Sequence, residues 1–326
     1  MRERKGEVVK RGLRDAWRRW ELREHRECVF SAAFSPDGRL ILSGSGDEQM
    51  CLYSGQSETT ILLWDVDTGE RIRSFRGHTD LVTSVAFSPG GTYALSGSLG
   101  TYDAHSLRLW EVKTGRCVRV LEPPPKSVSA VGFSADGHLA LSAGMLDSGS
   151  KVWRFPEGDC IREFPSSWGT TDAKISADGQ GVLFATGDEL QLFEVATGDS
   201  ARVCRGHSGG VKAAAFVGNS KALSGGGDQT LKLWDLEANR CLKTYEGHSS
   251  SVESVAVSSD ERYALSGSED GTAKLWDLDL GQCIWTFAGH TGSIKCVSFS
   301  PDDGFVLTAS ADRSLGVWVL DWEWNI

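Results

Sequence analysis

No run of apolar residues in this sequence approaches the roughly 18 needed to cross a bilayer as a helix. The N-terminus is charged, not apolar, so no secretory signal is expected either. The eight cysteines include no Cys-x-x-Cys pair and no other spacing suited to a metal. Basic residues are in deficit: 34 Lys and Arg stand against 44 Asp and Glu, a net charge of −10. An acidic chain lacks the broad basic surface that nucleic-acid binding needs. The charge is uneven, because residues 1–26 hold ten Lys/Arg and five Asp/Glu, a net +5 that leaves −15 for the remainder. Many unpaired thiols indicate a reducing compartment, and the chain reads as cytoplasmic, without a membrane span.

What the sequence does hold is repetition. The stretch from Gly247 to Asp277 reads as three short strands, Val252 to Val257, Tyr263 to Ser268 and Thr272 to Trp276, parted by Ser-Asp and Asp-Gly turns. The Trp of the third strand recurs as Trp64, Trp110, Trp153, Phe193, Trp234, Trp276 and Trp318, at spacings of 46, 43, 40, 41, 42 and 42 residues. A Gly-His pair recurs at His78, His207, His248 and His290, and His25 stands at the same offset. A fourth run, such as Cys241 to Tyr245, precedes each next His. Four strands in about 42 residues is the period of a propeller blade. Cys117, Cys160, Cys241 and Cys283 share one place in this frame. Equivalent positions on different blades are too far apart to bridge, so they are no disulfide framework.

Gly-His, then Phe-Ser-Pro-Asp-Gly (Phe34 to Gly38), then Ser-Gly-Ser-x-Asp, then Leu-Trp-Asp resembles the WD-repeat (WD40) family over about residues 17 to 321. The resemblance implies an all-β fold, a seven-bladed β-propeller of four-stranded antiparallel blades. It also implies a buried hydrogen-bonded chain in each regular blade. Carried over, those chains are His207, Ser224, Asp228 and Trp234; His248, Ser266, Asp270 and Trp276; and His290, Thr308, Asp312 and Trp318. A His, Ser and Asp together invite a hydrolase reading. Recurrence at one fixed spacing argues instead that they staple each blade, and no catalytic residue, cofactor or metal is expected.

The seventh unit has no fourth strand after Trp318-Val319-Leu320, whereas Trp17 to Leu22 lies where a fourth strand belongs. The N-terminal strand is therefore expected to complete blade seven, which removes an exposed sheet edge. Residues 1–16 read as a basic leader or linker remnant, 17–321 as the propeller and 322–326 as a tail. Val9, Leu13, Trp17 and Trp20 fall at roughly helical spacing. The tail, Leu320-Asp321-Trp322-Glu323-Trp324, resembles those of bacterial WD-repeat chains.

The departures from the repeat point to function. In blade one, Trp64 follows Asp47 by 17 residues where regular blades have six. Blade two has a longer turn that displaces Asp103, blade three replaces its His loop with Pro123-Pro124-Pro125, and blade four has Phe193 for Trp and no His. The two lengthened turns, the proline loop and Trp168 gather on the face formed by the loops from strand four to strand one and from strand two to strand three. A non-catalytic scaffold binding a protein or peptide there is expected, as a monomer, with Tyr53, Tyr102, His105 and Trp168 as aromatic or ring contacts. Lys212, Glu253 and Lys295 are expected to ring the channel mouth. The alternative is a sensory or regulatory propeller of a larger bacterial signalling protein. A propeller enzyme is remote, because His105 and His138, the two histidines outside the repeat frame, lie at opposite blade ends.

Overall fold

A computed structural model describes residues 10–46, 59–100, 106–122, 127–145, 149–164 and 169–325. Seven four-stranded antiparallel sheets succeed one another along the chain as the blades of a propeller. Six of them use four consecutive strands; blade six, for example, comprises Val252–Val257, Tyr263–Ser268, Ala273–Asp277 and Gln282–Phe287, from the axis outward. Blade seven instead places Lys10–Leu22 outside Leu315–Asn325, paired from Lys10 opposite Asn325 to Leu22 opposite Leu315. The chain thus closes on itself, as the missing fourth strand required.

Two boundaries move. The outer strand of blade seven begins at Lys10, inside the stretch read as a leader, and its partner runs to Asn325, into the expected tail. The helical spacing of Leu13, Trp17 and Trp20 is overridden by strand pairing: Leu13 and Trp20 pack against different cores, while Trp17 points outward. A short apolar run cannot choose its own period when a sheet edge offers a full ladder of hydrogen bonds.

The core is divided among the blade junctions. Among the described residues, the cluster between blades five and six joins Leu223 and Tyr245 to Val252, Trp276 and Leu278, and the other junctions repeat the plan. Close approach of neighbouring blades explains the Ser-Gly-Ser of the second strand. A Cβ on Gly97 would stand 2.3 Å from Val128 of the next inner strand, and one on Gly267 2.6 Å from Ile294. Glycine relieves that approach in these blades, and others hold nothing larger than Ala143, Ala185 or Ala309 at the same place.

Candidate partner-binding site

Each inner strand carries a bulge at its second residue, marked by a register shift there against the second strand. The bulge turns that side chain toward the axis. Phe30, Thr83, Ser129, Thr171, Lys212, Glu253 and Lys295 hold this position and line a central channel of about 640 Å³. Lys212, Glu253 and Lys295 therefore come from three successive blades to one mouth, at the end where the His loops enter. Lys212 and Lys295 make no hydrogen bond or ion pair among the described residues, and Glu253 accepts one from Ser251 at 2.6 Å.

The next residue along stitches blades together. The hydroxyls of Ser31, Ser84 and Ser254 accept the amides of Val85, Val131 and Val297 of the following blade at 3.0–3.1 Å. Asp172 holds this place in blade four, accepting the Ala214 amide at 3.0 Å and the Lys174 ammonium at 2.6 Å. Asp172 and Lys174 add a charge pair to the channel that repeat spacing did not single out. The signal was there: blade four has charged residues at inner-strand positions where the other blades have Ser, Ala, Gly or Cys.

At the rim of this face the polar chains are in place. In blade six, His248 Nδ1 lies 2.8 Å from Asp270, Nε2 lies 2.7 Å from Ser266, and the Trp276 indole donates to Ser266 at 2.8 Å. Blade five repeats this with His207, Asp228, Ser224 and Trp234, and blade seven with His290, Asp312, Thr308 and Trp318. Blades one and two hold the inner part, His25 on Ser43 with Trp64 and His78 on Ser96 with Trp110. Burial pushes the Asp270 carboxyl up, but hydrogen bonds from Thr272, the Ser249 amide and His248 outweigh it and bring it down to about 2. Burial lowers His207 and His248 against the pull of their carboxylates, and lowers His25 to about 4 with help from Arg71.

Blade four replaces the network outright. Phe184 stands where the others have Ser or Thr, Phe193 where they have Trp, and with Phe164 they form a triangle of edge-on contacts at 5.4–5.6 Å. No polar atom is left to satisfy, so loss of the His costs nothing there.

Tyr53, Tyr102, His105 and Trp168, along with Asp47, Asp103 and Asp147, lie outside the described residues. Among the described residues no group of three or more His, Cys, Asp or Glu could hold a metal ion, and no helix is long and apolar enough to cross a membrane.

The model of the WD domain, G-beta repeat, matches residues 18–65, 69–111, 115–154, 198–235, 239–277 and 281–319. The stretch it passes over, 155–197, holds the first three strands of blade four, where the polar network is missing. Nuclear distribution protein PAC1 of Arthroderma otae is 28% identical over 279 residues, covering 75% of this chain and 58% of the relative. An uncharacterized WD repeat-containing protein of Synechocystis is 33% identical over 90 residues, 28% of this chain and 23% of that protein. Methylosome protein WDR77 of Xenopus laevis is 34% identical over 121 residues, 33% of this chain and 36% of that protein. The chain thus spans little more than half the length of the fungal relative. That breadth of sources gives no support to the bacterial type read from the C-terminal tail, which is withdrawn.

Proposed function

This chain belongs to the WD domain, G-beta repeat family, and from that premise we propose that it is a non-catalytic scaffold for protein–protein interaction. It takes a protein or peptide partner on the face that carries the channel mouth and the lengthened turns of blades one and two. One observation carries the reading: Lys212, Glu253 and Lys295 line one end of a central channel of about 640 Å³ and are little used by the fold. Charged groups with few partners in the isolated chain are available to select charge on a partner. One relative agrees in kind, since the name methylosome protein denotes a member of a larger assembly. Tyr53, Tyr102, His105 and Trp168 are proposed as further contacts, with the protein a cytoplasmic monomer that uses no cofactor.

The test is a comparison of faces. A partner is captured from cell extract, identified by mass spectrometry and titrated as a purified protein. Lys212→Glu, Lys295→Glu, Tyr53→Ala and Trp168→Ala each weaken it by about 1 kcal/mol or more, roughly fivefold. His138→Ala, an exposed change on the opposite face, leaves the affinity unchanged. The reverse pattern would move the site off the channel mouth.

A further inference from the structure

On the opposite face, neighbouring blades are latched by a repeated contact. Two residues before the large apolar residue that closes the outer strand, a cation reaches across to the turn joining strands three and four of the next blade. Arg73 donates to the carbonyls of Val112, at 3.4 Å, and Lys113. Arg119 donates to Glu157, and Arg162 to Val195, at 2.9 Å, and Ala196. Lys243 donates to Leu278 at 3.3 Å and Asp279 at 2.9 Å. At the closing junction Trp20 takes this place, its indole donating to Val66 at 3.0 Å. Under each latch lies a turn glycine, Gly69, Gly115, Gly158, Gly198 or Gly281, with φ between 72° and 81°. A Cβ on these glycines would meet the latching side chain at 2.7–3.1 Å.

The junction between blades four and five lacks both halves of the latch. Asn239 occupies the glycine position at φ 50°, so a Cβ stands where the other latches lie. Arg202, at the latch position, turns back to the carbonyl of its own neighbour Ala201 at 2.6 Å. Cys204 replaces the large apolar residue that closes the strand. A slot of about 670 Å³ opens there, with Leu192, Phe216 and Leu236 among its apolar walls and Asp178, Glu194 and Glu237 on its rim.

We propose that this slot receives an arginine side chain from a partner, which completes from outside the latch that other junctions make from within. The occupant follows from what the slot retains. The carbonyls of Leu236 and Glu237 stand at the acceptor positions that a guanidinium or ammonium fills elsewhere. The apolar wall suits the methylene stem, and three carboxylates against the single cation Arg202 favour an incoming positive charge. Lysine can reach two adjacent carbonyls as well, as Lys243 does, but a guanidinium is more weakly hydrated than an ammonium and presents a planar fork, as at Arg73 and Arg162, which favours arginine against an apolar wall. The slot lies across the molecule from the channel mouth, so the two sites can be occupied together.

The test titrates the full chain, labelled at leucine and valine methyls, with acetyl-Leu-Arg-Leu-amide and its citrulline analogue, which keeps the shape and loses the charge. Shifts at Leu192, Val195 and Leu236 are expected, with the citrulline peptide about tenfold weaker. Leu192→Trp, which fills the slot, removes the shifts. Glu194→Gln with Glu237→Gln, surface changes that leave the core intact, weakens binding severalfold, and the methyl spectrum of each variant reports its folding. Equal affinity for the citrulline peptide, shifts confined to other parts of the molecule, or no shift at millimolar peptide would each overturn the proposal.

Discussion

At the scale of single residues, the donor order in each polar chain sets the protonation state of its histidine. In blade six the Trp276 indole donates to Ser266 Oγ, so the hydroxyl proton of Ser266 is free for His248 Nε2, and Nδ1–H is left for Asp270. A second ring proton would aim Nε2–H at an oxygen that already accepts from Trp276. Burial, which penalises the cation, thus acts with the geometry to keep His248 neutral. Asp270→Ala strands Nδ1–H in a buried site and is expected to lower stability by about 2–4 kcal/mol in urea unfolding near neutral pH. The carboxyl is depressed from 3.8 to about 2, so its contribution is complete above pH 3.8 and is lost as pH falls toward 2. The gap between wild type and variant should therefore close over that interval. His25, His207 and His248 are also depressed, from 6.5, so wild-type stability should begin to fall once pH drops below that value. Unchanged unfolding of the variant at neutral pH would remove the staple role of Asp270. In blade four the Ser and Trp positions are replaced together, since Phe184 or Phe193 alone would oppose a polar group to a phenyl ring, whereas blade three has no His but keeps the Trp153 indole donating to Ser142 at 3.0 Å.

At the scale of elements, strands were legible and the contacts between blades were not. Val252–Val257 and Tyr263–Ser268 coincide with the apolar runs between Ser, Gly and Asp turns, because a blade buries both faces and its strands read as continuous apolar segments. The channel-lining positions were partly legible, since Lys212, Glu253 and Lys295 break that apolar run in equivalent places. Asp172 and Lys174 escaped because they lie in the blade whose motif had decayed. The junction latches escaped for another reason. Arg73, Arg119 and Arg162 look like ordinary solvent-facing charges on outer strands, and only their register over Gly115, Gly158 and Gly198 gives them a partner. That register makes a prediction. Gly115→Ala meets both a left-handed φ of 74° and a Cβ 2.7 Å from Arg73, so it should destabilise by about 1–2 kcal/mol in thermal or urea unfolding. Asn239→Gly, where no latch lies over the turn, should change stability by less than about half of that. Equal effects at the two positions would mean that the glycine serves the turn alone and the latch is incidental.

At the scale of the whole molecule, closure decides whether seven blades behave as one body. The ring is joined by a strand from the N-terminal end of the chain, and residues 10–14 extend the join beyond the blade pattern. Arg11 pairs with Asp303, which is almost fully buried, and with Asp260 at 2.8 Å, and it lies 4.6 Å over the ring of Trp322. Its carbonyl accepts from Arg262 and from the Tyr263 hydroxyl, each at 2.6 Å, so one residue ties blade six to blade seven. Trp322 in turn donates to the Asp303 carbonyl at 2.7 Å, which gives the supposed tail a fixed place. Deleting residues 1–14 removes Arg11 and leaves Asp303 without its cation, at a cost of about 3 kcal/mol or more. Deleting residues 1–24 goes further, since it strips the outer strand and bares Leu315–Asn325 along its length. An apolar, unpaired edge of that length recruits other chains. The expected sequence is therefore a monomer of reduced stability after the first deletion and concentration-dependent association after the second, read by light scattering. A 25–326 fragment that stays monomeric and melts with the intact chain would show that six complete blades and a three-stranded seventh hold the ring without the N-terminal strand.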